Sequence, residues 1–392
     1  MLLLQGTVQR YPWGTTDAIP TILGRPADGG PVAEYWLGAH PLAPAVAGGA
    51  PLTDLIAREP SVLGGAARAS FGDGLPFLMK ILSARHALSI QAHPSREQAE
   101  EGYAREQAAG VALDAPERTY KDAWPKPEIL IALDEFHSLS GFRDPHRTEA
   151  LFAALGVADD LASVIGPLTE RRGRAALEEV FLDVLSLTGD RAKMSELVCA
   201  AAMQHKDDPG EVGDFARTVI ELDEVFPADP GVLAALLMNP VVLQPGEAVY
   251  VPAGQMHAHL TGIEVMANSD NVIRGGLTPK HVDVAELIKV VDFDPKEPVI
   301  TRPDRVSAGV EHYETGCPEF DVWRLTGTPD ALPLPGEGSA RVLLVVSGSL
   351  TLSAAEGTTT LATGESVFLG AAEAEVAFAG DGTAFLSASG VR

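Results

Sequence analysis

The sequence predicts a mainly β chain interrupted by a helical segment. Gly 39 and Pro 29 among 392 residues supply the many turns that β-rich architectures need. Short apolar runs bounded by Gly, Pro or Asp recur at both ends of the chain, as half-buried strands do. Between about 145 and 238 the apolar spacing becomes helical: Leu177, Val180, Phe181, Val184 and Leu185, then Phe215, Val219, Leu222, Val225 and Phe226.

Residues 1 to about 94 read as short strands, with a helix near Leu52–Arg58. Pro76–Leu82 is an apolar strand carrying one lysine, Lys80, which by itself reads as an edge or snorkelling residue. Ser95-Arg96-Glu97-Gln98 is a capping box, so a helix is expected from about 96 to 109. Strands follow at Glu128–Leu133, Phe136 and Gly141-Phe142. Asp190, Pro209 and Asp229-Pro230 divide the helical segment into five or six helices. That segment contains no catalytic cluster, and His205 reads as solvated or packed. It is expected to pack on the sheet and wall one side of a site.

Ala248–Pro252 and Gly262–Ala267 return to strand pattern. After about 300, strands are expected at Phe320–Leu325, Arg341–Val346, Ser349–Leu352, Ser366–Leu369, Glu375–Phe378 and Ala384–Ser387. Glycine turns between them predict a jelly roll. No histidine lies between Tyr313 and Arg392, so this barrel is expected to be structural.

Composition excludes several functions. Fifty-four acidic against 29 basic residues give a formal charge of −25, which disfavours nucleic acid and anionic membranes as partners. An anionic substrate would need a local cluster of cations. Cys199 and Cys317 are too few for a disulfide framework. No basic-then-apolar leader opens the chain, and no stretch approaches about 20 apolar residues. A cytoplasmic protein is expected.

Polar residues crowd into three stretches: Ser89–Pro94, Lys126–Glu128 and Gly246–Lys280. Gln91 and His93, two apart on a strand, share one face, as joint ligation of a metal requires. Alone they would read as two polar strand residues. Leu88-Ser89-Ile90-Gln91-Ala92-His93-Pro94, Lys126-Pro127-Glu128, Pro252-Ala253-Gly254 with His257-Ala258, and Ser269-Asp270-Asn271-Val272-Ile273-Arg274 occur in this order. Together they resemble the type I phosphomannose isomerases, zinc-dependent aldose–ketose isomerases. Tyr11-Pro12-Trp13-Gly14 and Glu34-Tyr35-Trp36-Leu37-Gly38-Ala39-His40-Pro41 extend the likeness to the start of the chain.

The resemblance implies two cupin (jelly-roll) β-barrel domains plus an α-helical domain. Residues 1–144 and 239–299 would form the metal-binding cupin, 145–238 the helical insert, and 300–392 a C-terminal cupin-like domain without ligands. It implies one Zn2+ per chain on Gln91, His93, Glu128 and His257, a ligand set that suits zinc chemically. His259 is expected to face elsewhere and to pack or sit behind the ligands; His40 and His86 are expected to be structural.

The substrate implied is a sugar phosphate, mannose 6-phosphate interconverting with fructose 6-phosphate through a cis-enediol. Arg274 would grip the substrate or its developing anion, with a salt bridge to Asp270 as the competing reading. Asp270, Glu264 and Lys126 are the candidates for proton transfer. Lys80, Ser89, Lys280 and Trp13 would contact substrate. The family's Asn-His before Lys-Pro-Glu is Trp124-Pro125 here, which leaves the proton route and the substrate range open. A same-fold isomerase of another sugar and a non-catalytic sugar-binding cupin are the rivals. The expected assembly is a monomer or small homo-oligomer.

Overall fold

The computed structural model describes residues 1–188, 193–258 and 261–391. Asp190 and His259 lie outside the described residues. The strands form four antiparallel sheets of nine, seven, five and four strands. The seven-stranded sheet runs in the order Ile300–Thr301, Ala248–Val251, Glu128–Ile131, Thr261–Ala267, Phe77–Ser83, Glu34–Gly38, Thr7–Gln9. The five-stranded sheet is ordered Met238–Leu243, Phe136–Phe142, His257–Ala258, Ile90–Ala92, Ile273–Gly276.

Strand alternation decides which side chains each sheet presents. In the seven-stranded sheet Tyr35, Leu37, Met79, Ile81, Ile129, Ile131, Ile263 and Val265 point one way. They pack against Val322, Val342, Leu344, Phe368 and Phe385 of the nine-stranded sheet. The intervening residues Glu34, Trp36, Lys80, Glu128 and Glu264 point the other way, and all are buried. In the five-stranded sheet Ile90, Ala92, Leu139, Ala258 and Ile273 pack into the core made by the helices. Gln91 alternates with Ile90 and Ala92 and so faces away from the helices.

Seven described helical segments lie between Pro145 and Ala235, where five or six were expected. Pro167 begins one short helix directly after another, Ala162–Ile165, ends; this accounts for the extra element. Helix Arg96–Ala108 starts as expected: Ser95 accepts from the Gln98 backbone N–H, and the Gln98 side chain returns to the Ser95 N–H. Helix Leu52–Arg58 also forms.

The carboxy-terminal strands occur close to their expected places, with two differences. The strand expected from Glu375 begins at Ala377, because Glu375 has φ of 52° and a left-handed residue cannot continue a strand. The strand Leu2–Gln5, expected with the amino-terminal domain, pairs with Ser366–Leu369 in the nine-stranded sheet. No helix among the described residues is long and apolar enough to cross a membrane.

Candidate metal centre and active site

Cross-strand register assembles the site. On the five-stranded sheet Arg274 lies opposite Gln91, and Gln91 opposite His257, so these three share one face. On the seven-stranded sheet Lys80 lies between Trp36 and Glu264. Glu128 is opposite Met266, two residues from Glu264 and on the same face.

The two faces meet at His93, Glu128 and His257. Their ligand atoms lie within 4.8 Å of one another and all three side chains are fully buried. His257 Nε2 is 2.9 Å from Glu128 Oε1, and His93 Nε2 is 3.3 Å from Glu128 Oε2. The other ring nitrogens are committed to backbone carbonyls: His93 Nδ1 to Asn271 O at 2.7 Å, His257 Nδ1 to Gln255 O at 3.0 Å. A carbonyl only accepts, so each Nδ1 carries the proton and each Nε2 lone pair turns into the cluster. Burial, then the nearby Lys126 charge, pushes His93 down to about 3, which keeps it neutral and able to ligate. Burial alone would raise Glu128, but the Lys126 ammonium beside it outweighs burial, and the carboxyl is held well below the usual range. Two imidazoles with inward Nε2 atoms and an ionised carboxylate, closed from water, fit a divalent metal of zinc's type. Gln91 adds an amide oxygen on the same face.

Lys126 is the nearest cation. Its Nζ is 3.1 Å from Glu128 Oε2 and 3.3 Å from His93 Nε2. Lys80, expected from the residues alone to be an edge lysine, is instead in the interior of the seven-stranded sheet. Its Nζ is 3.0 Å from Glu264 Oε2 and 3.6 Å from Glu34 Oε1, and it sits 5.2 Å from the Trp36 ring centroid. Burial opposes its charge, yet Glu264 and Glu34 outweigh burial and raise its pKa.

Arg274 forms no salt bridge with Asp270. The chain between them is loop and strand, not helix, so side chains four apart diverge. Among the described residues Arg274 has no ion-pair partner, and burial lowers its pKa. The pKa of Lys280 is lowered by partial burial of its ammonium, then by the charges of Arg274 and Lys121. Lys280 is exposed and lies just beyond the Arg274 strand. Ser89 precedes strand Ile90–Ala92, half-buried and without a hydrogen-bond partner among the described residues. Trp13 stacks on Tyr11 at 5.5 Å and packs against the apolar cluster that contains Leu82, Leu130 and Phe136.

Four residues near the site were given no role there from sequence: Lys121, Asp122, Glu34 and Tyr11. Asp122 holds the loop that carries Asp270. Its carboxylate accepts from the backbone N–H groups of Trp124 and Asp270, from Ser269 Oγ and from Asn271 Nδ2. The nearby Lys-Pro-Glu motif was a signal for Lys121 and Asp122, and the opening motifs contained Tyr11 and Glu34, but only the fold sets Glu34 beside Lys80. The indole of Trp124 is covered by the Arg96 guanidinium at 3.8 Å and lies against Phe71 at 5.9 Å. Residues two apart on a strand share a face, so alternation gave no ground for turning His259 away from His257.

The family model for the catalytic domain of type I phosphomannose isomerase matches residues 1–145. The mannose-6-phosphate isomerase of Escherichia coli is 34% identical, covering 97% of this chain and 98% of its own. That of Salmonella typhimurium is 36% identical with the same coverage. A crystal structure of mannose 6-phosphate isomerase bound with zinc and yttrium superposes with a TM-score of 0.90 at 34% identity, over 99% of both chains. Full-length similarity at this level and the buried ligand cluster agree, and the chain belongs to the type I phosphomannose isomerase family.

Proposed function

We propose that this chain interconverts mannose 6-phosphate and fructose 6-phosphate with one zinc ion held by Gln91, His93, Glu128 and His257. The observation that carries the reading is the buried His93–Glu128–His257 set, with Arg274 and Gln91 on the same sheet face. Relatives bearing the name mannose-6-phosphate isomerase span the full length of the chain. Zinc bound there would act as a Lewis acid toward the sugar oxygens and the charge formed on enolisation.

The protein's own groups divide the remaining work. Arg274, Lys280 and Lys121 bind the phosphate, a local attraction in a chain of charge −25. Ser89 and Trp13 complete the substrate contacts. Asp270 is the proton carrier: its side chain is 38% exposed, whereas Glu264 is 7% exposed and locked to Lys80. It takes the proton from C2 of the open-chain aldose and returns it to C1. Lys126 gives a proton to O1 and receives one from O2, so the reaction balances as an isomerisation.

In this reading residues 1–144 and 239–299 form the metal-bearing cupin barrel and 145–238 its helical insert. Residues 300–392 form a second cupin-like barrel, to which Leu2–Gln5 adds a strand. Two free cysteines accord with the cytoplasm. The test is a coupled assay of mannose 6-phosphate turnover on the purified protein, after chelator and after zinc is restored, with His257→Ala alongside. Activity should follow zinc and be absent in the variant. A zinc-loaded protein that leaves mannose 6-phosphate untouched would overturn the assignment, and turnover of another sugar phosphate would then favour the Trp124-Pro125 alternative.

A further inference from the structure

His40 follows the strand Glu34–Gly38 and is almost fully buried, at 3% exposure. Its ring stands edge-on to Trp36, with centroids 4.7 Å apart at 67°. Two polar contacts fix it. Nδ1 accepts the backbone N–H of Leu42 at 3.3 Å, and Nε2 lies 3.3 Å from Asp270 Oδ1. A nitrogen that accepts an N–H cannot also carry a proton. The ring proton of His40 therefore sits on Nε2, the nitrogen 3.3 Å from Asp270 Oδ1.

The consequence falls on Asp270. Its Oδ1 is tied to His40 and its backbone N–H to Asp122 Oδ2 at 2.9 Å, while Oδ2 has no partner among the described residues. The carboxylate is thus held through one oxygen, its backbone is held by Asp122, and the other oxygen is open. Lys80, Lys126, Lys121, Tyr11 and Asp122 are the other charged or titratable groups around it. A structural histidine packed on Trp36 would not need its only N–H turned to a half-exposed carboxylate.

We propose that His40 is a positioning residue for isomerisation: its Nε2–H donates to Asp270 Oδ1 and holds Oδ2 toward the substrate carbon. The proposal rests on the isomerase reading and on Asp270 as proton carrier.

The test compares His40→Leu, His40→Gln, Asp270→Asn and the double variant His40→Leu/Asp270→Asn as zinc-loaded proteins, with steady-state kinetics on mannose 6-phosphate and thermal unfolding. The Gln side-chain amide nitrogen reaches close to the position of Nε2 and keeps the donor. His40→Leu should lower kcat about 10–100-fold, the cost of removing an orienting partner, with KM changed less than about threefold. His40→Gln should recover to within about fivefold of the wild type, and the double variant should be no slower than Asp270→Asn. Equal loss in His40→Leu and His40→Gln, or additive loss in the double variant, would overturn the proposal in favour of a packing role. If His40→Leu does not fold, His40→Gln still decides: a loss above about tenfold in a stable protein would sink it. A wild-type protein without turnover would instead sink the isomerase reading, and the role of His40 with it.

Discussion

The site-bearing face of the seven-stranded sheet and the interior of the carboxy-terminal strands are built from the same antiparallel pleat, but they are filled differently. The carboxy-terminal interior holds Val310, Leu325, Leu343, Val345, Leu350, Leu352, Phe378 and Leu386; the charge buried on these strands, Arg341, lies at a strand start and donates to the carbonyls of Pro335 and Glu373. The site face buries Glu34, Lys80, Glu128 and Glu264. An unpaired buried ion costs several kcal/mol, so such a face is tolerable only where each charge has a partner. Here Lys80 meets two carboxylates, while Glu128 meets two imidazoles and Lys126. One layer supplies stability; the other spends it on preorganised charge.

The largest effect expected at this contrast comes from Glu128→Gln. It removes the one carboxylate of the proposed ligand set, and zinc retention and turnover should both fall more than about 100-fold, beyond the loss caused by a ligand's outer partner. Metal analysis after dialysis against a weak chelator, with the coupled assay, reads this; full zinc occupancy would show that the donor set is wrongly assigned. Next is Lys80→Met, which leaves Glu264 and Glu34 facing each other without a cation. Urea unfolding should show a loss of about 3–5 kcal/mol, partly restored by adding Glu264→Gln. No restoration would mean that the loss is one of packing.

Leu343→Ala probes the other layer. A cavity there should cost about 2–5 kcal/mol in unfolding, while kcat per bound zinc stays at the wild-type value. A parallel fall in kcat would show that the two layers are coupled through the core they share. The smallest effect is Ser95→Ala: loss of the cap on helix Arg96–Ala108 should cost about 1 kcal/mol. A further drop in zinc affinity would show that this cap also steadies His93, two residues before it.

Much of the scaffold was legible because local rules suffice for it. The period-2 pattern placed most strands, the period-3.6 pattern the helices, and Ser95 with Gln98 the helix start. The resemblance named the ligand positions, and alternation put Gln91 and His93 on one face. Where local reasoning failed, the deciding partner lay far along the chain. Lys80 read as an edge lysine because nothing near it in sequence could neutralise it; its partners are Glu264 and Glu34 on the flanking strands. The competing reading of Arg274, a salt bridge to Asp270, rested on four-residue spacing, which brings side chains together only on a helix.

The sequence by itself therefore determined the elements, the charge balance and the residue types of the metal centre, since these follow from composition, period and motif. Only the tertiary structure decided which charges pair. It set Lys80 between two acids, turned the His40 N–H to Asp270, tied the loop of Asp270 to Asp122, and left Arg274 without an ion-pair partner among the described residues. Pairing of this kind depends on strand register and sheet packing between segments up to more than 200 residues apart, as for His40 and Asp270. No local pattern encodes that register.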